Sequence, residues 1–308
     1  MSWRLRRSGL ASAVTLLAAC LIGSAVPGWA RAADAGPLRV VATFSVLADM
    51  VREVGGAAVE VTSLVGPDAD AHVFEPTPRD AQRVAKAHLI VANGLRYEGW
   101  IERLIAASGY RGKVVVASAG VTPRQAGRDG IDPHAWQNLV HAKRYVANIR
   151  AALAAAAPQH GAAIESRAAD YLRRIDALDL ETRIRIACVP AERRRVITAH
   201  DAFGYFAEAY GIEFIAPRGW TTGSEPSAEG VARIVRQLRE QRASALLLEN
   251  ISDPRLLERI AREARVNVGG KLYSDALSAP GTEADTYLRM FAHNVDTLVA
   301  AIGTGARP

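Results

Sequence analysis

The sequence predicts an α/β fold in which two βα lobes with mostly parallel central sheets are joined by one long linking helix. Three observations predict it. Short apolar runs rich in β-branched residues alternate with stretches of helical spacing from Leu38 to Ser118. The same alternation restarts at Val196. Between the two blocks, residues 162–187 carry a helical pattern uninterrupted by glycine or proline. Strands that alternate with helices pair in parallel, because each crossover helix carries the chain back to the end of the sheet where the previous strand began. A length of 308 residues also suits two domains better than one.

In the first block, strands are expected at Leu38 to Thr43, Val59 to Val65, His88 to Asn93 and Lys113 to Ser118, with helices at 45–55, 77–87 and 98–107. A loop rich in Gly, Pro and Arg, from Ala119 to Asp132, leads into a helix starting near Pro133. The stretch 162–187, about 26 residues and so roughly 39 Å long, presents Leu172, Ile175, Leu178 and Ile186 as its apolar stripe, with Arg, Asp and Glu elsewhere. In the second block, strands are expected at Val196 to Ala199, Ile212 to Ala216, Ala245 to Glu249 and Val266 to Val268, and helices near 203–210, 227–242, 254–264 and 284–302. Ser224-Glu225-Pro226-Ser227 reads as a helix start. The expected division is a signal segment over 1–32, an N-terminal lobe over 33–161, a linking helix over 162–190 and a C-terminal lobe over 191–308.

Arg4, Arg6 and Arg7 precede an apolar run from Leu10 to Val26, which ends in Pro27, Gly28 and Ala30-Arg31-Ala32. That order reads as a secretory signal cleaved after Ala32, and the run is short for a membrane span. Leu17-Ala18-Ala19-Cys20 offers an alternative, lipid attachment at Cys20. The residues after it stay apolar, which favours the cleaved periplasmic form. The net charge of +6 falls with the signal, since residues 1–32 hold four arginines and no acid; 34 basic against 32 acidic residues remain. A net +2 gives no reason to expect a nucleic-acid partner.

The composition excludes disordered, collagenous and coiled-coil classes. Two cysteines, Cys20 and Cys188, exclude a disulfide scaffold and a thiolate zinc ribbon, so any metal must be held by imidazole and carboxylate. Ligands of open α/β sheets sit beyond the carboxyl ends of strands. Four chemically able residues lie there: His72 after Val59 to Val65, His134 in Asp132-Pro133-His134-Ala135-Trp136, His200 after Val196-Ile197-Thr198-Ala199, and Asp275 after Lys271-Leu272-Tyr273-Ser274. Three imidazoles and a carboxylate form an N3O set suited to zinc. Their separations of 62, 66 and 75 residues are too wide for a local motif, so loop position carries this reading. For each histidine the competing reading is an ordinary hydrogen-bonded loop residue. His88, His141, His160 and His293 fall on a strand, in helical patterns or in a break, and are left out of the site.

The segments Gly66-Pro67-Asp68-Ala69-Asp70-Ala71-His72-Val73-Phe74-Glu75-Pro76-Thr77-Pro78, Asp132 to Trp136, Thr198 to Phe206 and Gly269 to Ser278 together resemble the solute-binding components of bacterial zinc and manganese ABC transporters, from about Leu38 to the C-terminus. The resemblance implies that His72, His134, His200 and Asp275 ligate a metal held between the lobes. It also implies a rigid linking helix, and an ABC transporter permease as partner of a monomeric, non-enzymatic protein. In that family the third position is histidine in many zinc binders and glutamate in many manganese binders, so His200 leans towards Zn²⁺, with Mn²⁺ or Fe²⁺ as alternatives. Many zinc members carry a His- and acid-rich loop before the second ligand; here Ala119 to Asp132 has Arg124 and Arg128 but no histidine. Four protein ligands would leave no open position, the arrangement of a holding site. An exported zinc hydrolase is the alternative of a different class, and neither H-E-x-x-H nor G-x-S-x-G is present to support it. Asp132, Asp201 and Glu249 are candidates to orient the imidazoles, and Trp136 and Phe203 to shield them.

Overall fold

The computed structural model describes residues 36–126, 130–217, 227–241 and 243–303. The expected signal, its cleavage point, Cys20 and Arg128 lie outside the described residues, as do Ser224, Glu225 and Pro226 of the expected helix start.

Two four-stranded parallel sheets form the frame. The chain begins with β1 (Leu38–Phe44), α1 (Ser45–Gly55), β2 (Val59–Val65), α2 (Pro78–Ala85), β3 (Leu89–Ala92), α3 (Ile101–Ser108) and β4 (Lys113–Val116), and the first sheet has the order β2-β1-β3-β4. Its central strands β1 and β3 are covered on both faces, as their β-branched sequences require. Thr77 and Asp80 close a reciprocal capping box at the start of α2.

The expected loop Ala119 to Asp132 instead contains a short antiparallel hairpin, β5 (Arg124–Ala126) with β6 (Gly130–Asp132). A 3₁₀ turn at Ala135–Gln137 then delays the helix expected near Pro133, and α4 (Leu139–Ala156) starts at an Asn138 cap. The long helix α5 (Gly161–Ala187) has 27 residues, about 40 Å. Its buried face is Ile164, Ala168, Tyr171, Ile175, Thr182 and Ile186. Leu172 and Leu178 are only half-buried, so the expected stripe is displaced around the helix. Burial of α5 against α1, α4 and α9 (Tyr287–Ile302) selects the face.

The second sheet is built from β7 (Arg195–Ile197), β8 (Glu213–Ile215), β9 (Ala245–Glu249) and β10 (Val268–Leu272) in the order β10-β9-β7-β8, with α6 (Gly204–Tyr210), α7 (Ala228–Gln241) and α8 (Pro254–Ala264) between strands. The last strand was expected at Val266 to Val268 and runs later. Gly269 and Gly270 disguise it in the sequence, yet the strand needs them. A Cβ on Gly269 would meet the Ala301 methyl of α9 at 2.6 Å, and Gly270 has φ +131° beside Thr297.

One apolar core joins both sheets through α5 and α9, taking Val40 and Leu89 from the first, Val196 and Leu247 from the second, and Tyr171, Ile175, Phe291 and Leu298 from the helices. A second lies under α7 and α8, where Ile234, Leu238, Leu257 and Ile260 pack on Ile197 and Leu246. Each such side chain contributes about 1.5–3 kcal/mol by burial. Among the described residues no helix is long and apolar enough to cross a membrane.

Candidate metal centre

His72, His134, His200 and Asp275 converge, and one ligand atom from each lies within 4.8 Å of every other. His72 follows β2, His134 follows β6, His200 follows β7 and Asp275 follows β10, so loops from both halves supply the set. Four contacts measure how tightly they close. His72 Nε2 lies 3.2 Å from His134 Nε2 and 3.3 Å from Asp275 Oδ2, His200 Nε2 lies 3.1 Å from Asp275 Oδ2, and His134 Nε2 lies 3.5 Å from Asp275 Oδ1. A tetrahedron with bonds of 2.0–2.1 Å has edges of about 3.4 Å. The four contacts are near that length, with Asp275 turning one oxygen to His72 and His200 and the other to His134.

Two of the imidazoles are braced from behind. His134 Nδ1 lies 2.8 Å from Asp132 Oδ1, which also accepts the His134 backbone N–H at 3.0 Å. His200 Nδ1 lies 2.8 Å from Glu249 Oε2, while Glu249 Oε1 accepts the backbone N–H groups of Ala199 at 2.7 Å and His200 at 3.0 Å. A carboxylate only accepts, so Asp132 takes the proton of His134 Nδ1 and leaves His134 Nε2 facing the centre, while His200 stands between two carboxylates, Glu249 at Nδ1 and Asp275 at Nε2. His72 has no such brace in the described contacts. Its backbone N–H is tied to Asp70 Oδ1 at 2.7 Å, and its side chain stays 28% exposed against 4% for His134. The third expected partner, Asp201, is exposed and contacts none of the four; adjacency in sequence to His200 misled there, and Glu249, 49 residues away, takes the role.

Asp275 is wholly buried, and its Oδ1 has no hydrogen-bond donor. Burial raises its pKa, but His134, His200 and His72 outweigh that and hold the carboxyl well below the usual range. Burial works against charge on His200, and the Glu249 and Asp275 carboxylates outweigh it, holding the imidazole well above its ordinary value. His72 is raised too, burial being overcome by Asp275. Positive charge at His200 and His72 is thus favoured by the carboxylates around them.

The Asp275 loop is stitched to the other half of the chain. The Ser274 carbonyl accepts Trp136 Nε1–H at 2.9 Å and Gln137 Nε2–H at 2.7 Å, and the Leu277 N–H donates to Ser45 Oγ at 3.0 Å. Trp136, wholly buried, also lies with its ring 5.3 Å from that of His134. Phe203 does not. It stacks on Phe214 at 4.8 Å and belongs to the core.

Sequence reasoning missed Tyr97, whose buried ring meets His72 edge-on at 4.8 Å. Its loop follows β3, and the rule that selected the histidines applies there as well. Gly94, Leu95 and Arg96 all take positive φ to turn it, and Glu98 holds the turn by accepting Asn93 N–H at 2.6 Å and Thr43 Oγ–H at 2.6 Å. His88 Nδ1 accepts the Arg39 N–H, His141 packs edge-on against Tyr205, and His293 lies beside the Lys271 carbonyl, all away from the site.

Residues 40–301 match the family described as ZnuA, zinc-uptake complex component A, periplasmic. The chain is 33% identical to the manganese-binding lipoprotein MntA of Bacillus subtilis strain 168, over 96% of this chain and 99% of that one. It is 34% identical to the zinc-binding protein TroA of Treponema pallidum, over 88% and 90%. The solved structure of that periplasmic zinc-binding protein superposes with a TM-score of 0.82 at 30% identity, covering 87% of this chain and all of the other.

Proposed function

The chain belongs to the ZnuA family of metal-binding solute-binding components of ABC transporters, and from that premise we propose that it captures Zn²⁺ through His72, His134, His200 and Asp275 and delivers it to its cognate permease. Family members are transport proteins, not enzymes. The observation that carries the choice of ion is the ligand set itself: three imidazoles and one carboxylate, with contacts of 3.1–3.5 Å near the edge length expected around a zinc ion. Manganese favours oxygen-rich, higher-coordinate sites, and the same donors rank Zn²⁺ above Mn²⁺. The relatives named for manganese support a second ion at the same site, Mn²⁺, and the measurement below separates the two.

Four protein ligands saturate a tetrahedral ion, so the site holds its cargo without an open position for water. Release then requires displacement of a ligand loop on docking to the permease. We further propose export with cleavage after Ala32, lipid attachment at Cys20 being the alternative. The division we propose has lobes at 33–161 and 191–308 about a linking helix at 162–190, and the protein acts as a monomer.

Competition calorimetry with Zn²⁺ and Mn²⁺, paired with X-ray absorption of the loaded protein, tests the assignment. Tighter zinc binding with four N/O ligands at about 2.0–2.1 Å is expected. Preferential retention of manganese, or a zinc ion with five or six ligands, would overturn it.

A further inference from the structure

The β5–β6 hairpin lies in the half of the chain that carries His72 and His134, yet its charged residues lie against α6, which follows His200. Arg124 bridges the two. Its Nη1–H donates to Asp132 Oδ2 at 3.1 Å and its Nε–H to Glu208 Oε1 of α6 at 2.8 Å. Asp132 is wholly buried, and its other oxygen is the one that faces His134 Nδ1. The backbone follows the same path: Arg124 N–H donates to Tyr205 Oη at 2.8 Å, and that hydroxyl donates to the Asp132 carbonyl at 3.2 Å. Gly204, the first residue of α6, makes room for the bridge. A Cβ there would run into the Arg124 guanidinium and Asp132 Oδ2.

We propose that Arg124 is the positioning residue of the His134 side of the site, a clamp that fixes the Asp132 carboxylate and ties it, through Glu208, to the opposite half of the molecule, so that it sets how fast the metal leaves. The inference rests on the reading of His134 as a ligand. Asp132 sets the orientation of the His134 ring through Oδ1, and it does so more firmly when its second oxygen is held as well. One oxygen is spent on His134, and the guanidinium supplies the opposing donor on the second. A planar fork can reach two carboxylates on different elements at once, which a lysine ammonium on the same stem does not reproduce. The loop that lacks histidines for collecting metal thus has a structural use, holding the two halves together behind the second ligand.

The test is the rate of Zn²⁺ loss from the loaded full chain into excess EDTA. Arg124→Gln should raise the dissociation rate about tenfold or more, within the range by which outer partners of a ligand act. Glu208→Gln, at a side chain 63% exposed and so harmless to folding, should raise it less, and the double variant should be no faster than Arg124→Gln because both changes open one bridge. Gly204→Ala, which alters no charge, should reproduce the Arg124→Gln rate. Rates within about twofold of wild type in Arg124→Gln and Gly204→Ala, whatever their melting temperatures, overturn the proposal, since that is below the outer-partner range. His134→Ala, run alongside, separates the two readings. Zinc lost from it while Arg124→Gln is unchanged sinks the clamp alone, and zinc retained by it sinks the ligand assignment and the clamp together.

Discussion

Glu249→Gln isolates the brace behind His200 with almost no change of shape. The buried carboxylate has three uses: Oε1 accepts two backbone N–H groups, and Oε2 lies 2.8 Å from His200 Nδ1. A glutamine keeps the first two through its carbonyl oxygen and turns an –NH₂ towards Nδ1. The ring then either faces donor with donor or moves its proton to Nε2, and the second choice removes the lone pair that points at the centre. The interaction lost is the 2.8 Å contact of a buried imidazole with a carboxylate, of the order of a hydrogen bond to a charged group, about 1.5–3 kcal/mol. At about 1.4 kcal/mol per tenfold, zinc affinity should fall roughly 10- to 100-fold, matching the usual effect of removing a ligand's outer partner. Calorimetric titration with Zn²⁺ under chelator competition measures the loss, and thermal unfolding of the metal-free protein checks that the backbone contacts survive. Affinity within about twofold of wild type, with an unchanged melt, would refute the tautomer argument.

Two other outcomes follow from the same geometry. His200→Ala removes a ligand itself and should cost more than the roughly 100-fold ceiling of an outer partner; far-ultraviolet dichroism should stay native, because the residue sits in a loop, and undiminished zinc affinity would remove it from the site. Asp49, buried in α1 and accepting the Tyr287 N–H at 2.8 Å, has its pKa pushed up to about 7, chiefly by burial. A group that binds its proton more tightly when folded contributes stability that is complete below pH 3.8 and lost as pH rises to 7, about 4 kcal/mol at 1.36 kcal/mol per unit. Asp49→Asn should therefore gain stability over wild type in urea unfolding at pH 8 and gain far less at pH 5, and a constant difference between the two pH values would contradict the burial argument.

Much of this architecture was legible because the signals were strong. β-Branched runs marked β1, β2 and β9 to within a residue or two, and the absence of Gly and Pro marked α5. The four converging residues were found from one topological rule about strand ends. The misses have physical reasons. The β5–β6 hairpin is three residues a side with no apolar alternation, and it is held by Arg124, Tyr205 and Glu208, partners more than 80 residues apart that no local pattern reveals. β10 hides behind glycines chosen by the proximity of α9. Glu249 was visible as a strand-end acid but could not be separated from Asp201, because which carboxylate reaches an imidazole depends on the pairing of β7 with β9.

The Ser274 carbonyl, gripped by both Trp136 and Gln137, ties the residue before Asp275 to the turn that carries His134. Any separation of the two sheets at that point has to strip two donors from one buried oxygen together, and each of the three groups loses its partner in the same step. The two hydrogen bonds thus act as one latch on the segment that carries Asp275, together costing more to break than either alone.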